Sequence, residues 1–106
     1  MGANYYTHIW EIALPGIMQG LRTSFEDKQT VGGQMPKEEF EAAGNRQRYS
    51  FTVTYQNGYA PPKAGNAVCR DLQEVLAGHR PFFEFAKDKT INFRLDTHFN
   101  FFITCK

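Results

Sequence analysis

The chain has 106 residues, 42% of them hydrophobic, which suffices for one packed core but not for two. Twelve Lys and Arg against eleven Asp and Glu leave a formal net charge of +1, so no broad field is available to hold a polyanion such as DNA. Ten Phe, five Tyr and one Trp make 15% of the chain and exclude a disordered, highly solvated polymer.

From Tyr5 to Ala13 the sequence YYTHIWEIA is aromatic and β-branched and alternates, which predicts a strand; Tyr6, Trp10, Ala13 and Leu14 also fit helical spacing, so a helix is the rival. Pro15-Gly16 should break the segment. Ile17, Met18, Leu21 and Phe25 then give a helical stripe, which Gly20 weakens by about 1 kcal/mol relative to Ala, so tertiary packing must hold it. Residues 26–35, with paired glycines, read as a loop. Pro36 to Ala43 reads as a short helix closed by Gly44.

Between Arg46 and Gln56 the period changes to two. Tyr49, Phe51, Val53 and Tyr55 face one way and Arg48, Ser50, Thr52 and Thr54 the other, as in a half-exposed strand. Asn57-Gly58 signals a turn that Pro61-Pro62 extends into a loop. Asn66 reads as the N-cap of a helix that buries Ala67, Val68, Leu72, Val75 and Leu76, keeps Arg70, Asp71, Gln73 and Glu74 on its wet side, and stops at Gly78. His79 follows as a group suited to that helix's negative end. Phe82 to Ala86 reads as a short strand. Residues 91–105 alternate without loss of register, which predicts either one long bent strand or a hairpin turning at Asp96 to His98; strands near fifteen residues are uncommon, so the hairpin is preferred.

This order predicts a single α+β domain over residues 1–106, with a largely antiparallel sheet of four to five strands and two to three helices mainly on one face. Cys69 and Cys105 lack the spacing of a disulfide framework or a zinc site and read as small buried hydrophobes. No cofactor or metal is expected. The N-terminal residues lack the pattern of a secretory signal, and no apolar run is long enough to span a bilayer, so a cytoplasmic protein without a membrane partner is the expectation.

Three functional readings follow. Seven of the ten phenylalanines lie between Phe82 and Phe102. Adjacent pairs on strands would place Phe82 or Phe83, and Phe102, on a second sheet face that needs cover, and a homodimer through that aromatic face or edge supplies it. Alternatively, a small enzyme or a protein for a small apolar or aromatic ligand would hold its pocket between the sheet and the 66–78 helix, with Arg94, Asp96, His98 and Asn100 as the polar group nearby. The third reading is single-stranded nucleic-acid binding by Arg46, Arg48, Tyr49 and Phe51. The near-neutral charge counts against it, as does Arg48 where an RNA-recognition pattern wants glycine.

Overall fold

The computed structural model describes residues 6–33, 50–62, 65–98 and 100–106. Among them the order is α1 (Thr7–Asp27), β1 (Val31–Gly33), β2 (Phe51–Gln56), α2 (Ala67–Ala77), α3 (Arg80–Ala86), β3 (Thr90–Leu95) and β4 (Phe101–Cys105). The four strands form one antiparallel sheet, β1-β4-β3-β2, and with three helices the fold is α+β. The segment 36–43, expected as a helix, lies outside the described residues, as do Arg46, Arg48 and Tyr49. No helix among the described residues is long and apolar enough to cross a membrane.

The segment predicted as a strand near Tyr5 is helical from Thr7, and α1 runs through Pro15 without a break. The rival spacing wins because it continues. Tyr6, Trp10, Ile17, Leu21 and Ser24 are buried and Ala13 and Leu14 pack against the core, so the stripes before and after Pro15 are in phase. An interior proline costs about 3 kcal/mol, whereas burying each large apolar side chain returns about 1.5–3 kcal/mol. Pro15 itself sits on the exposed side.

Gly20 is where α1 rides on the sheet. A Cβ there would lie 2.8 Å from Ile103 Cδ1, so the missing side chain sets the closeness of α1 to β4. Beyond the helix, the loop expected from residue 26 is shorter than predicted. Lys28 adopts a left-handed φ of 54° as the helix ends, and Val31–Gly33 pair with β4 as an edge strand. A three-residue strand with two glycines offers no alternation to detect.

The predicted alternation of β2 holds, with Phe51, Val53 and Tyr55 buried and Thr52 and Thr54 exposed. Residues 91–105 form the β3–β4 hairpin, Leu95 pairing with Phe101 and the Asp96 N–H bonding the Asn100 carbonyl at 3.0 Å. Both strands keep their parity across the turn, with Ile91, Phe93, Leu95, Phe101, Ile103 and Cys105 inward. The helices cover that inward face. Ring contacts at 5.0–6.4 Å join Trp10, Phe51, Phe101, Phe93, Tyr55 and Phe82 into one aromatic layer, so much of the aromatic excess belongs to a single core.

α2 begins and ends as predicted, with Asn66 Oδ1 accepting the Cys69 N–H at 3.0 Å and the chain leaving the helix at Gly78. Its buried surface is wider than the predicted stripe. Asp71 and Gln73, expected on the wet side, are both buried, because α1 packs against α2 in addition to α3 and the sheet. The segment 82–86, read as a strand, is part of helix α3, which Pro81 opens in its first turn. Phe82 and Ala86, four residues apart, are its buried positions.

Candidate functional site

The turn after β2 shapes one wall of a cavity. Asn57 and Gly58 both have positive φ, 54° and 82°, and Gln56 and Tyr59 exchange backbone hydrogen bonds at 2.8 and 3.0 Å, the geometry of a two-residue hairpin turn. Gly58 is required twice over. Its φ is left-handed, and a Cβ would stand 2.8 Å from the Phe83 ring, which packs edge-to-face on Tyr59 with centroids 5.7 Å apart.

Tyr59, Ala60, Pro61 and Pro62 then run past α2 and α3 and border a half-open cavity of about 260 Å³. Tyr55 of β2, Gln73, Leu76 and Ala77 of α2, and Phe82 and Phe83 of α3 complete the lining. Tyr55 meets Phe82 edge-to-face at 5.0 Å and Phe93 at 5.9 Å, which fixes its ring from the core side. Arg94, Asp96, His98 and Asn100 do not line it, and two of its polar side chains are buried.

Those groups are Tyr55 and Gln73, only 4% and 5% exposed. The Tyr55 hydroxyl and Gln73 Oε1 are buried and have no hydrogen-bond partner. The other end of the Gln73 amide donates to Cys69 Sγ at 3.3 Å. Burial pushes the Tyr55 phenol well above its ordinary range, and burial likewise raises the Cys69 thiol, so neither ionises near neutral pH. None of the described lining residues is Asp, Glu, His, Lys or Arg. The pocket is lined mainly by aromatic and aliphatic side chains, with no charged side chain among its described lining residues.

Of the residues anticipated from sequence, Asp96, His98 and Asn100 meet in the β3–β4 turn, away from this cavity. Asp96 organises the hairpin turn, its Oδ1 accepting the N–H groups of His98 at 2.8 Å and Asn100 at 2.9 Å, and its Oδ2 accepting from Asn100 Nδ2 at 3.0 Å. Its carboxylate thus bonds backbone rather than orienting the His98 imidazole. His98 is exposed, and Arg94 stacks on the Phe102 ring at 4.2 Å on the outer sheet face. Phe82, in the core at 1% exposure, and Phe83 both line the cavity, whereas Phe102 lies on the outer sheet face. The outer face is instead threonine-rich: Thr54 accepts from Asn92 at 3.0 Å, and Thr30 and Thr104 share a hydrogen bond at 3.0 Å. Phe51, offered for base stacking, is buried edge-to-face against Trp10.

Two other concavities are present among the described residues. A cleft of about 560 Å³ is lined by Phe25, Lys28, Gln29, Thr30, Thr104, Cys105 and Lys106. A groove of about 370 Å³ between α1 and α2 carries Glu11, Glu74 and His79. Among the described residues no group of three His, Cys, Asp or Glu is placed to hold a metal ion. Gln73 was missed in the sequence because helical periodicity placed it outside the buried stripe; its one signal is a position one turn before Ala77, beside the proline-rich loop. Comparison of the chain with protein-family models, with curated proteins and with solved structures returns no match.

Proposed function

We propose that this protein binds a small aromatic molecule in the cavity between β2 and α2, under the Tyr59–Pro62 segment. The observation that carries the reading is a half-open pocket walled by the Tyr55, Tyr59, Phe82 and Phe83 rings, whose faces and edges suit a flat aromatic guest.

The homodimer anticipated from the phenylalanine pairs has less support. The aromatic surface that motivated it is divided between the core, the cavity rim and an Arg94-covered ring on a polar face. Sedimentation velocity at high micromolar concentration separates the two readings, since a dimer there revives the interface.

The binding reading is tested by ligand-observed NMR against a panel of small aromatic compounds, with Ala77→Trp placed to fill the cavity mouth. Binders lost in Ala77→Trp and retained in His98→Ala support it. A panel with no binder at millimolar concentration, or binding untouched by Ala77→Trp, overturns it.

A further inference from the structure

We propose that the cleft at the C-terminal end of α1 is a second binding site, which takes a small amphipathic anion: an acidic head held by Lys28 and Lys106, and an apolar body laid against Phe25. The proposal is independent of the aromatic pocket between β2 and α2.

The cleft forms where the chain reverses between α1 and β1. Lys28 leaves the helix in the left-handed region, and the fully buried Ser24 holds the reversal from inside, its Oγ donating to the Gln29 carbonyl and accepting the Cys105 N–H at 2.9 Å. On the sheet side, the Thr30 and Thr104 hydroxyls share a hydrogen bond, and the Lys106 backbone exchanges two with Thr90 at 2.9 and 3.0 Å. Both walls are thus fixed within the fold, which lowers the ordering cost of binding. At about 560 Å³ the cleft falls within the range of about 300–1,000 Å³ usual for small-molecule sites.

Charge gives the sign of the ligand. The described lining residues include two lysines and no Asp or Glu, and neither Lys28 nor Lys106 forms a salt bridge among the described residues. Neighbouring Lys89 differs. Its ammonium lies over the Phe25 and Phe85 rings at 4.7 and 4.3 Å and donates to the Phe85 carbonyl at 2.9 Å and to Asp88 at 3.0 Å, so its charge and that of Asp88 are answered within the protein. Glu26 and Asp27, acidic residues of the last turn of α1, are not part of the lining. Two ammonium groups at one cleft without a lining carboxylate favour an anion. Lysine acts as a point charge, so the head is defined by its charge rather than its shape.

Phe25 gives the ligand its second part. It is one of the exposed large hydrophobic residues, at 39%, and Lys28 Nζ stands 5.8 Å from the centre of its ring. An inorganic anion leaves that ring in water, whereas an anion with an apolar body covers it and gains the burial.

Four probes test this by titration of the full chain followed in amide NMR spectra: octanoate, octanol, octylammonium and acetate. Their saturated chains offer no ring to the aromatic pocket. Octanoate is expected to bind with a dissociation constant of about 1 mM or tighter, with shifts centred on Phe25, Lys28, Thr30 and Thr104. An exposed ion pair is worth about 0.2–1 kcal/mol, so Lys28→Gln and Lys106→Gln should each weaken octanoate by up to about fivefold and leave octanol unchanged. Lys87→Gln, a cation paired elsewhere with Glu84, should change neither. Added salt should weaken octanoate alone. Octanol should bind more weakly than octanoate, and octylammonium and acetate should not shift these amides. Octanol binding as tightly as octanoate, or octanoate binding untouched in the Lys28→Gln/Lys106→Gln double variant, overturns the anionic head. Acetate binding as tightly as octanoate overturns the apolar body. No octanoate shifts at these residues overturns the site, whatever the outcome for the aromatic panel.

Discussion

The carboxylate of Asp71 on α2 accepts the backbone N–H of Tyr6 at 2.6 Å, fastening the start of α1 to a helix 65 residues further along the chain. One turn earlier on α2, the Val68 carbonyl accepts the Trp10 indole N–H at 3.0 Å. Asp71 is 0% exposed, so this bond is shielded from water. Asp71→Ala is expected to destabilise the protein by about 2–3 kcal/mol, and Asp71→Asn, which keeps one acceptor oxygen, by about 1 kcal/mol. Urea melts followed by Trp10 fluorescence measure both. A loss below about 0.5 kcal/mol for Asp71→Ala would show that the bond fastens nothing.

Asp71 also shows where sequence reading stops. The helical period placed Val68, Leu72, Val75 and Leu76 in the core, and they are there. That period supposes one buried stripe, whereas α2 is flanked by α1, α3 and the sheet, so Asp71 and Gln73 are buried as well. Strand alternation was legible in β2 and in the β3–β4 hairpin because half-buried strands encode their two faces residue by residue. Trp10 and Phe82 sit in short segments where aromatic residues satisfy both periods, and there long-range packing decides for helix. The polar residues that line the pocket were not legible, since Tyr55 and Gln73 are 18 residues apart and come to one lining only after folding.

Gly20 and Ile103 yield a coupled prediction. Alanine at position 20 improves helix propensity by about 1 kcal/mol, but its Cβ would press on the fully buried Ile103 side chain, an overpacking cost of about 1–3 kcal/mol. Gly20→Ala should therefore be destabilising by about 1 kcal/mol. Ile103→Val removes the opposing Cδ1 and alone should cost about 0.5–1.5 kcal/mol. Together the two should cost less than their sum by about 1 kcal/mol, as a double-mutant cycle would reveal. Simple additivity would mean that α1 does not depend on this close approach.

Acid should expose the work of Asp96. Hydrogen bonds from the backbone and side chain of Asn100, then from the His98 backbone, hold its carboxyl below the ordinary range. A carboxyl depressed in the folded state contributes stability that is present above its unfolded value of about 3.9 and is lost as the pH falls through the folded value. Asp88, depressed by Lys89, titrates in the same direction, so wild type must be compared with Asp96→Asn. Thermal melts between about pH 6 and pH 2 should show a shallower acid loss in Asp96→Asn than in wild type, with the Asp88 contribution common to both. Superimposable acid profiles would show that the turn does not depend on the ionised carboxylate.

The Gln73 carbonyl oxygen is buried without a hydrogen-bond partner, so Gln73→Leu removes an unsatisfied acceptor at nearly constant volume and loses only the bond to Cys69 Sγ, a weak acceptor. The variant is expected to be more stable than wild type by about 1 kcal/mol in urea melts, and Tyr55→Phe by up to about 1 kcal/mol for the same reason. Gln73→Leu destabilised by more than about 1 kcal/mol would mean that the amide is a structural group.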